Sequence, residues 1–304
     1  MIETIKYGTL RWSHIVRPTE EDLEILRTHY HFHALDLEDC RSVINLRPKI
    51  DVYDDYYFLI LHFPSFDSSQ TFVDTKEIKV FWGKDFLITI GKSHWLVKEM
   101  FSQEKARALA GKKMEVGSSD ALLYKVLERL MQETQSLVEK IEKDVDNCGK
   151  SLFNRKAERT IEKISFTQKN VVLLNTMFKP QVMLFNQLQS REIPGFAENM
   201  EDYWGNIHDY YQKIWDTVED SGELIRGYSR TFDSLQVNKT NEVIKILTLI
   251  SSILLPLTFL ASLYGMNLET LPFARHPLSF IIVSGVMILI AVSMIIYFKA
   301  RKWM

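Results

Sequence analysis

Asn241, Ile244, Thr248, Ser251, Leu255, Thr258 and Ser262 recur at spacings of three and four residues, so in a helix they share one face. Five of the seven are polar, and the positions to either side are largely Ile, Leu and Phe. Amides and hydroxyls in such a stripe offer hydrogen bonding rather than bond making. A polar stripe in an apolar helix faces other helices or water, not lipid. One reading is that each Ser and Thr bonds the carbonyl four residues back and merely lets helices pack closely. The preferred reading takes the stripe as a whole for a pore lining, because it ends at Tyr264-Gly265-Met266-Asn267, an abrupt helix stop with an amide at the mouth. Two helices cannot enclose a channel, so a pore requires a symmetric ring in which every subunit gives one helix to the axis.

Other candidate chemistry is sparse. His29, His31 and His33 form H-x-H-x-H with no evident fourth ligand, so surface histidines are expected rather than a structural metal site. Cys40 and Cys148 lie 108 residues apart and support neither a disulfide framework nor a thiolate zinc site. No H-E-x-x-H, G-x-G-x-x-G, nucleophile elbow or G-x-x-x-x-G-K-[ST] occurs, which argues against an enzyme and against an ATP-driven pump. With 37 Lys and Arg against 39 Asp and Glu the net charge is −2, lacking the uniform basic field of a nucleic-acid binder. No organic cofactor is expected.

The elements that must carry the stripe are membrane helices. Ile246 to Tyr264 is nineteen residues without a formal charge and Leu278 to Phe298 is twenty-one more, each enough to cross about 30 Å of hydrocarbon at 1.5 Å per residue. The first residues, MIETIKYGTL, have no signal-peptide pattern. Lys239 and Lys245 precede the first span and Lys299, Arg301 and Lys302 follow the second, whereas Gly265 to Pro277 carries only Arg275. That bias makes both ends cytoplasmic, in a cell membrane.

Ahead of the spans, residues 1–118 read as a cytoplasmic α/β domain. Lys49 to Phe63, Glu77 to Gly83 and Asp85 to Gly91 have strand period and composition, and Thr19 with the acids that follow starts a helix through His29. Residues 119–197 read as a pair of long helices, the second kinked at Pro180. From 198 to 264 one helix is expected to run unbroken as a stalk into the pore span at about 243–264, followed by an outer loop (265–277), a second span (278–298) and a basic tail (299–304). On the stalk, Trp204, Ile207, Tyr211, Ile214, Val218, Ser221, Ile225, Tyr228, Phe232 and Leu235 keep the 3-4 spacing. Such a seam is either buried against neighbouring helices or self-associates as a coiled coil that holds the ring together.

The combination becomes specific in NKTNEVIKILTLISSILLPLTFLASLYGMN, followed by Glu269 and a second span ending in YFKARKW. With the early Trp12, ALDLEDCRSVINLRPKIDVYDDYYFLILHF and GKDFLITIG, the chain resembles the CorA family of magnesium channels over nearly its whole length. The resemblance implies a funnel-shaped homopentamer in lipid, with α/β/α layers in the cytoplasmic domain. It also implies passive uptake of hydrated Mg²⁺, driven by the membrane potential and gated by cytoplasmic divalent ions. Zinc-transporting relatives generally carry isoleucine where this chain has Met266, so Mg²⁺ is favoured, while Co²⁺, Ni²⁺ and Zn²⁺ are alternative cargoes. A membrane-anchored, non-conducting scaffold is the remote alternative; it predicts a featureless first span.

On this resemblance Gly265, Met266 and Asn267 form the selectivity filter. An Asn267 ring would accept hydrogen bonds from the waters of Mg²⁺, an ion that dehydrates reluctantly, without the deep well of a carboxylate ring. Thr258 and Ser251 become hydroxyl rings, Asn241 a second amide ring, and Leu255, Leu247 and Ile244 constrictions that gate by dewetting; the family often carries methionine at Leu255 and Ile244. Lys299, Arg301 and Lys302 form a basic collar. Relatives bridge an acid of the LED run to a stalk acid with regulatory Mg²⁺. Here Glu38 and Asp39 supply the first acid, while the stalk position holds Arg230, a cation expected to pair directly with Asp39 and make Mg²⁺ inhibition shallower.

Overall fold

The computed structural model describes residues 2–42, 44–91, 94–111, 116–152, 157–266, 277–301 and 303. By internal contacts the chain divides into two units, Met1–Ser229 and Arg230–Met304.

The first unit is built on a six-stranded sheet in the order β1-β2-β6-β5-β4-β3. Its strands are β1 (Glu3–Tyr7), β2 (Leu10–Ile15), β3 (Lys49–Val52), β4 (Tyr56–Phe66), β5 (Val73–Gly83) and β6 (Phe86–Ile90). The run from Lys49 to Phe63, read above as one extended stretch, is instead an antiparallel pair that turns at Tyr53 to Asp55, with Tyr53 N–H donating to Tyr56 C=O. Among the described residues only β2 and β6 pair in parallel. Both faces of the central strands are covered, so these strands read as nearly continuous apolar runs rather than alternating ones.

On one face lie α1 (Glu20–Tyr30) and α2 (Ala34–Arg41), whose Leu23, Leu26, Leu37 and Cys40 pack with Ile15, Phe58, Ile60, Phe81 and Ile88. Helix α1 begins with a capping box between Thr19 and Asp22. On the other face Phe101 of α3 (Trp95–Leu109) meets Trp12 edge-on at 5.2 Å, and α4 (Ser119–Ser151) and α5 (Ala157–Gln189) follow. The Ser118 hydroxyl caps α4 by accepting from Ala121 N–H. Buried Asp120 accepts from Phe196 N–H at 2.9 Å, and a side chain at Gly195, whose φ is +73°, would collide with that carboxylate. That turn delivers the chain into α6 (Glu201–Gly265), a single 65-residue helix.

Helix α5 carries two buried amides that complete the sheet's hydrogen bonding. Asn170 Oδ1 accepts from Val73 N–H and its Nδ2 donates to Thr71 C=O, both at 2.9 Å. Gln181 Oε1 accepts from His62 N–H at 2.9 Å while Nε2 donates to His62 C=O at 3.0 Å. Eleven residues apart, the two amides fall on one face of the helix. Pro180 lies inside α5 without ending it; next to it, Gln181 also donates to Met177 C=O.

The seam of α6 is buried within the single chain. Trp204, Ile207, Tyr211, Ile214, Val218, Ser221, Ile225 and Phe232 are all buried, Tyr211 stacks on Phe185 at 4.3 Å, and Tyr228 lies so close to Gly149 that a Cβ there would overlap its ring. In the single chain the heptad-like spacing therefore serves packing inside the subunit, one of the two outcomes the seam allowed. Spacing alone cannot separate these outcomes, because both require the same apolar stripe.

The second unit holds the rest of α6 and α7 (Ser279–Ala300). Both helices are long and apolar enough to cross a membrane.

Candidate functional site

On the apolar part of α6 the residues divide by exposure. Asn241, Ile244, Leu247, Thr248, Ser251, Leu255, Thr258 and Ser262 are all exposed, Leu255 to 70 %. Leu249 is buried, and Ser252, Ile253, Pro256, Leu257, Leu260, Leu263 and Tyr264 are half-buried, tracing a second stripe at 3-4 spacing. Helix α7 has a matching half-buried stripe through Val283, Ser284, Met287, Ile290, Ala291, Met294 and Phe298. From Leu249 onward the polar stripe therefore lies on a side of α6 left open in the single chain, whereas from Val237 to Thr248 the helix is exposed all round.

Within it the hydroxyls behave unequally. Thr248 Oγ1 donates to Ile244 C=O and Thr258 Oγ1 to Leu254 C=O, each at 2.8 Å, so both threonines spend their proton on their own helix. Each oxygen keeps lone pairs that can accept. The helix continues through Gly265, one residue past the expected stop, and a Cβ at Gly265 would meet no atom of the described residues within 4 Å. Met266 is exposed. Asn267 and most of the outer loop lie outside the described residues, as does Lys302 of the basic tail. Lys299 sits in the last turn of α7, where a cation favours the helix C-terminus, and Arg301 lies over the Tyr297 ring at 5.8 Å.

The acids expected to regulate stand on α2, in the first unit. Its start is fixed by His33, whose Nδ1 accepts from Leu35 N–H, and by buried Asp36, which accepts from Tyr53 Oη at 3.1 Å and Tyr56 Oη at 2.9 Å. Burial pushes the Asp36 carboxyl above its ordinary range, with the two phenols opposing, and burial together with Asp36 pushes Tyr53 up to about 12. Glu38 is exposed. Asp39 lies 2.7 Å from Lys49 Nζ, which also lies 2.5 Å from Asp51. Burial disfavours the Lys49 charge, but the hydrogen bonds that its ammonium donates to both carboxylates, with their negative charge, outweigh it and raise the pKa. Arg230 is exposed at the start of the second unit and forms no ion pair among the described residues.

Lys49, Asp51 and Asp36 were missed by sequence reasoning. The signal was present: Lys49 and Asp51 stand two apart in a strand, which puts them on one face. The three histidines do not converge on a site: His31 is the left-handed C-cap of α1, with φ of 55°, His33 caps α2 and stacks on Tyr53, and His29 packs on Tyr30. No group of three or more metal-ligating side chains occurs among the described residues.

Residues 7–301 match the family model described as "CorA-like Mg2+ transporter protein". The chain belongs to the CorA family. It is a CorA-family divalent cation transporter, a membrane protein with two candidate transmembrane helices. It is 31 % identical over 277 residues to the cobalt/magnesium transport protein CorA of Thermotoga maritima, covering 90 % of this chain and 77 % of the relative. Against the putative metal ion transporter YfjQ of Bacillus subtilis the identity is 25 %, covering 96 % and 89 %. The complete structure of the CorA magnesium transporter from Methanocaldococcus jannaschii shares the fold, with a TM-score of 0.79 at 19 % identity over 99 % of this chain and 94 % of that one. The cytoplasmic domain of ZntB from Vibrio parahaemolyticus is also similar, with a TM-score of 0.62 at 16 % identity, covering 77 % of this chain and 90 % of that one. The CorA resemblance read from the GMN motif and its surroundings is thus confirmed at the level of family.

Proposed function

We propose that this chain is a passive channel for hydrated Mg²⁺. Five copies would form a ring in a cell membrane, with both chain ends cytoplasmic and the open face of α6 turned to the axis. The observation that carries the reading is the division of α6 into two stripes. Between Leu249 and Tyr264 the expected pore positions Ser251, Leu255, Thr258 and Ser262 are exposed, while the half-buried residues trace another side of the helix. An ion that keeps its water shell presents hydrogens outward, so its path needs acceptors rather than donors. Thr248 and Thr258, with their protons spent on the backbone, meet that need, as would the amide oxygens of Asn241 and Asn267.

The driving force is the inside-negative potential, about 2.3 kcal/mol per charge per 100 mV and twice that for a divalent ion. Leu255, Leu247 and Ile244 are the proposed dewetting constrictions, and Lys299, Arg301 and Lys302 the proposed collar. Glu38 and Asp39 are proposed as control residues through which cytoplasmic divalent ions close the channel, with Arg230 replacing a stalk acid. Lys49 already neutralises Asp39 within the subunit, so Asp39 has a competing partner of its own.

The test is Mg²⁺ entry into liposomes holding the purified protein, under an imposed inside-negative potential. Uptake that follows the potential supports the proposal, and its absence at every potential sinks it. A second reading, passage of Co²⁺ or Zn²⁺, is favoured by the cobalt/magnesium label of the Thermotoga relative and by the ZntB likeness; the same vesicles loaded with a dye for each metal distinguish the cargoes.

A further inference from the structure

The parallel pair β2 and β6 has a property that the transport reading leaves unused. After β2 the chain passes to α1 and α2 on one face of the sheet and then to β3 at the far edge, whereas after β6 it passes to α3 on the opposite face, beside β1. Two adjacent parallel strands whose connections leave in opposite directions open a crevice at their carboxyl ends, the place where open α/β sheets bind ligands. A cavity of about 500 Å³ lies there, reaching from Val16 and Arg17 after β2, past Gly91 after β6, to the end of α2. That is the size of a small-metabolite site.

Four cations line it, Arg17, Arg41, Lys76 and Lys79, against two carboxylates, Asp74 and Glu77. They come from three separate segments. Three are held in place by carboxylates: Arg41 by both oxygens of Glu20, Lys76 by Asp74 at 2.6 Å and Lys79 by Glu77 at 2.9 Å. Each keeps further N–H groups. Lys79 is only 5 % exposed, and Glu77 is the only acceptor at its ammonium among the described residues. Glu77 is itself shared, accepting from Leu46 N–H and facing His62 at 3.5 Å. Arg17 is exposed and has no carboxylate partner among the described residues. Cys40 and Ile90 give the cavity an apolar floor.

We propose that this crevice binds a small phosphate-bearing metabolite the size of a mononucleotide. The phosphoryl group would be held by Arg17 and Arg41 with Lys79 beneath it, since guanidinium forks match phosphate oxygens and a buried ammonium with unused donors favours an anion. The apolar body would rest against Cys40 and Ile90.

The test is equilibrium binding of adenosine 5′-monophosphate to the full-length protein in detergent with chelator present, so that metal binding does not contribute. Saturable binding of one nucleotide per chain is expected, weakened at least tenfold by Arg17→Glu and by Lys79→Met, and unchanged by Arg129→Ala, which lies in a different cavity. Arg17 is a surface residue, so Arg17→Glu keeps the test valid if Lys79→Met fails to fold. Displacement of the nucleotide by inorganic phosphate supports the assignment and places the affinity in the phosphoryl group. Displacement by adenosine as effective as by the nucleotide overturns it. So does binding that survives Arg17→Glu in folded protein, and so does the absence of saturable binding by both nucleotide and phosphate.

Discussion

Asp39 on α2 and Lys49 at the start of β3 form an ion pair of 2.7 Å, and the same ammonium holds Asp51 at 2.5 Å. One cation thus satisfies two carboxylates at the place where the family resemblance puts a regulatory acid. Replacing Lys49 by Met removes the cation and leaves two neighbouring acids, which a divalent ion can bridge. Half-closing of the channel is expected at about two- to fivefold lower internal Mg²⁺, the range that partly exposed ion pairs support. Flux measured against internal Mg²⁺ checks this, and an unchanged midpoint would remove Asp39 from the control residues.

Asn267→Ala is expected to abolish Mg²⁺ uptake while the protein still assembles, since the amide would touch ion-held water and not a core. The paired measurements are liposome flux and size-exclusion mass; normal flux in a correctly assembled variant ends the assignment of the filter.

Leu255→Ser and Ile244→Ser are expected to raise the resting leak, each by hydrating a ring that excludes water when closed. Both residues are exposed on α6, so neither change opens a cavity in the subunit. If resting currents of both match the parent, the constriction lies elsewhere on the helix.

His94, just before α3, is buried, and that burial lowers its pKa to about 4. Unfolding restores an ordinary histidine near 6.5, so the unfolded chain binds the extra proton first. The contribution is complete above about pH 6.5 and is lost as the pH falls toward 4, on the order of 3 kcal/mol over the interval. Thermal unfolding from pH 7 to 4, compared between the parent and His94→Leu, should show a smaller loss of stability in the variant; parallel curves would contradict the assignment.

The family and the membrane helices were legible because their signals are local. Nineteen and twenty-one uncharged residues, and a motif at the end of one of them, need no tertiary information. The seam from Trp204 to Ile225 was legible as a stripe but not as to its partner, since burial against α5, as at Tyr211 on Phe185, and against another copy demand the same spacing. The hydrogen bonds of Gln181 to His62 and of Asn170 to Val73 span 119 and 97 residues, and nothing local in a helix announces which strand an amide will reach. Likewise Lys49 was visible as a strand residue, but its partner Asp39 depends on how α2 is anchored by Asp36 to Tyr53 and Tyr56.

The grip of Gln181 on β4 also protects the molecule from its neighbours. Strand β3 pairs with β4 only from Tyr57 to Ile60, leaving the stretch to Phe66 as a sheet edge. On that edge the N–H of His62 is taken by Gln181, and the next position facing the same way is Pro64, which has none. A strand from another chain approaching here finds its first two docking points closed, one by a side chain and one by an imino acid. The edge is thereby guarded against strand-by-strand aggregation and swapping among crowded copies, without a charged residue being spent on it.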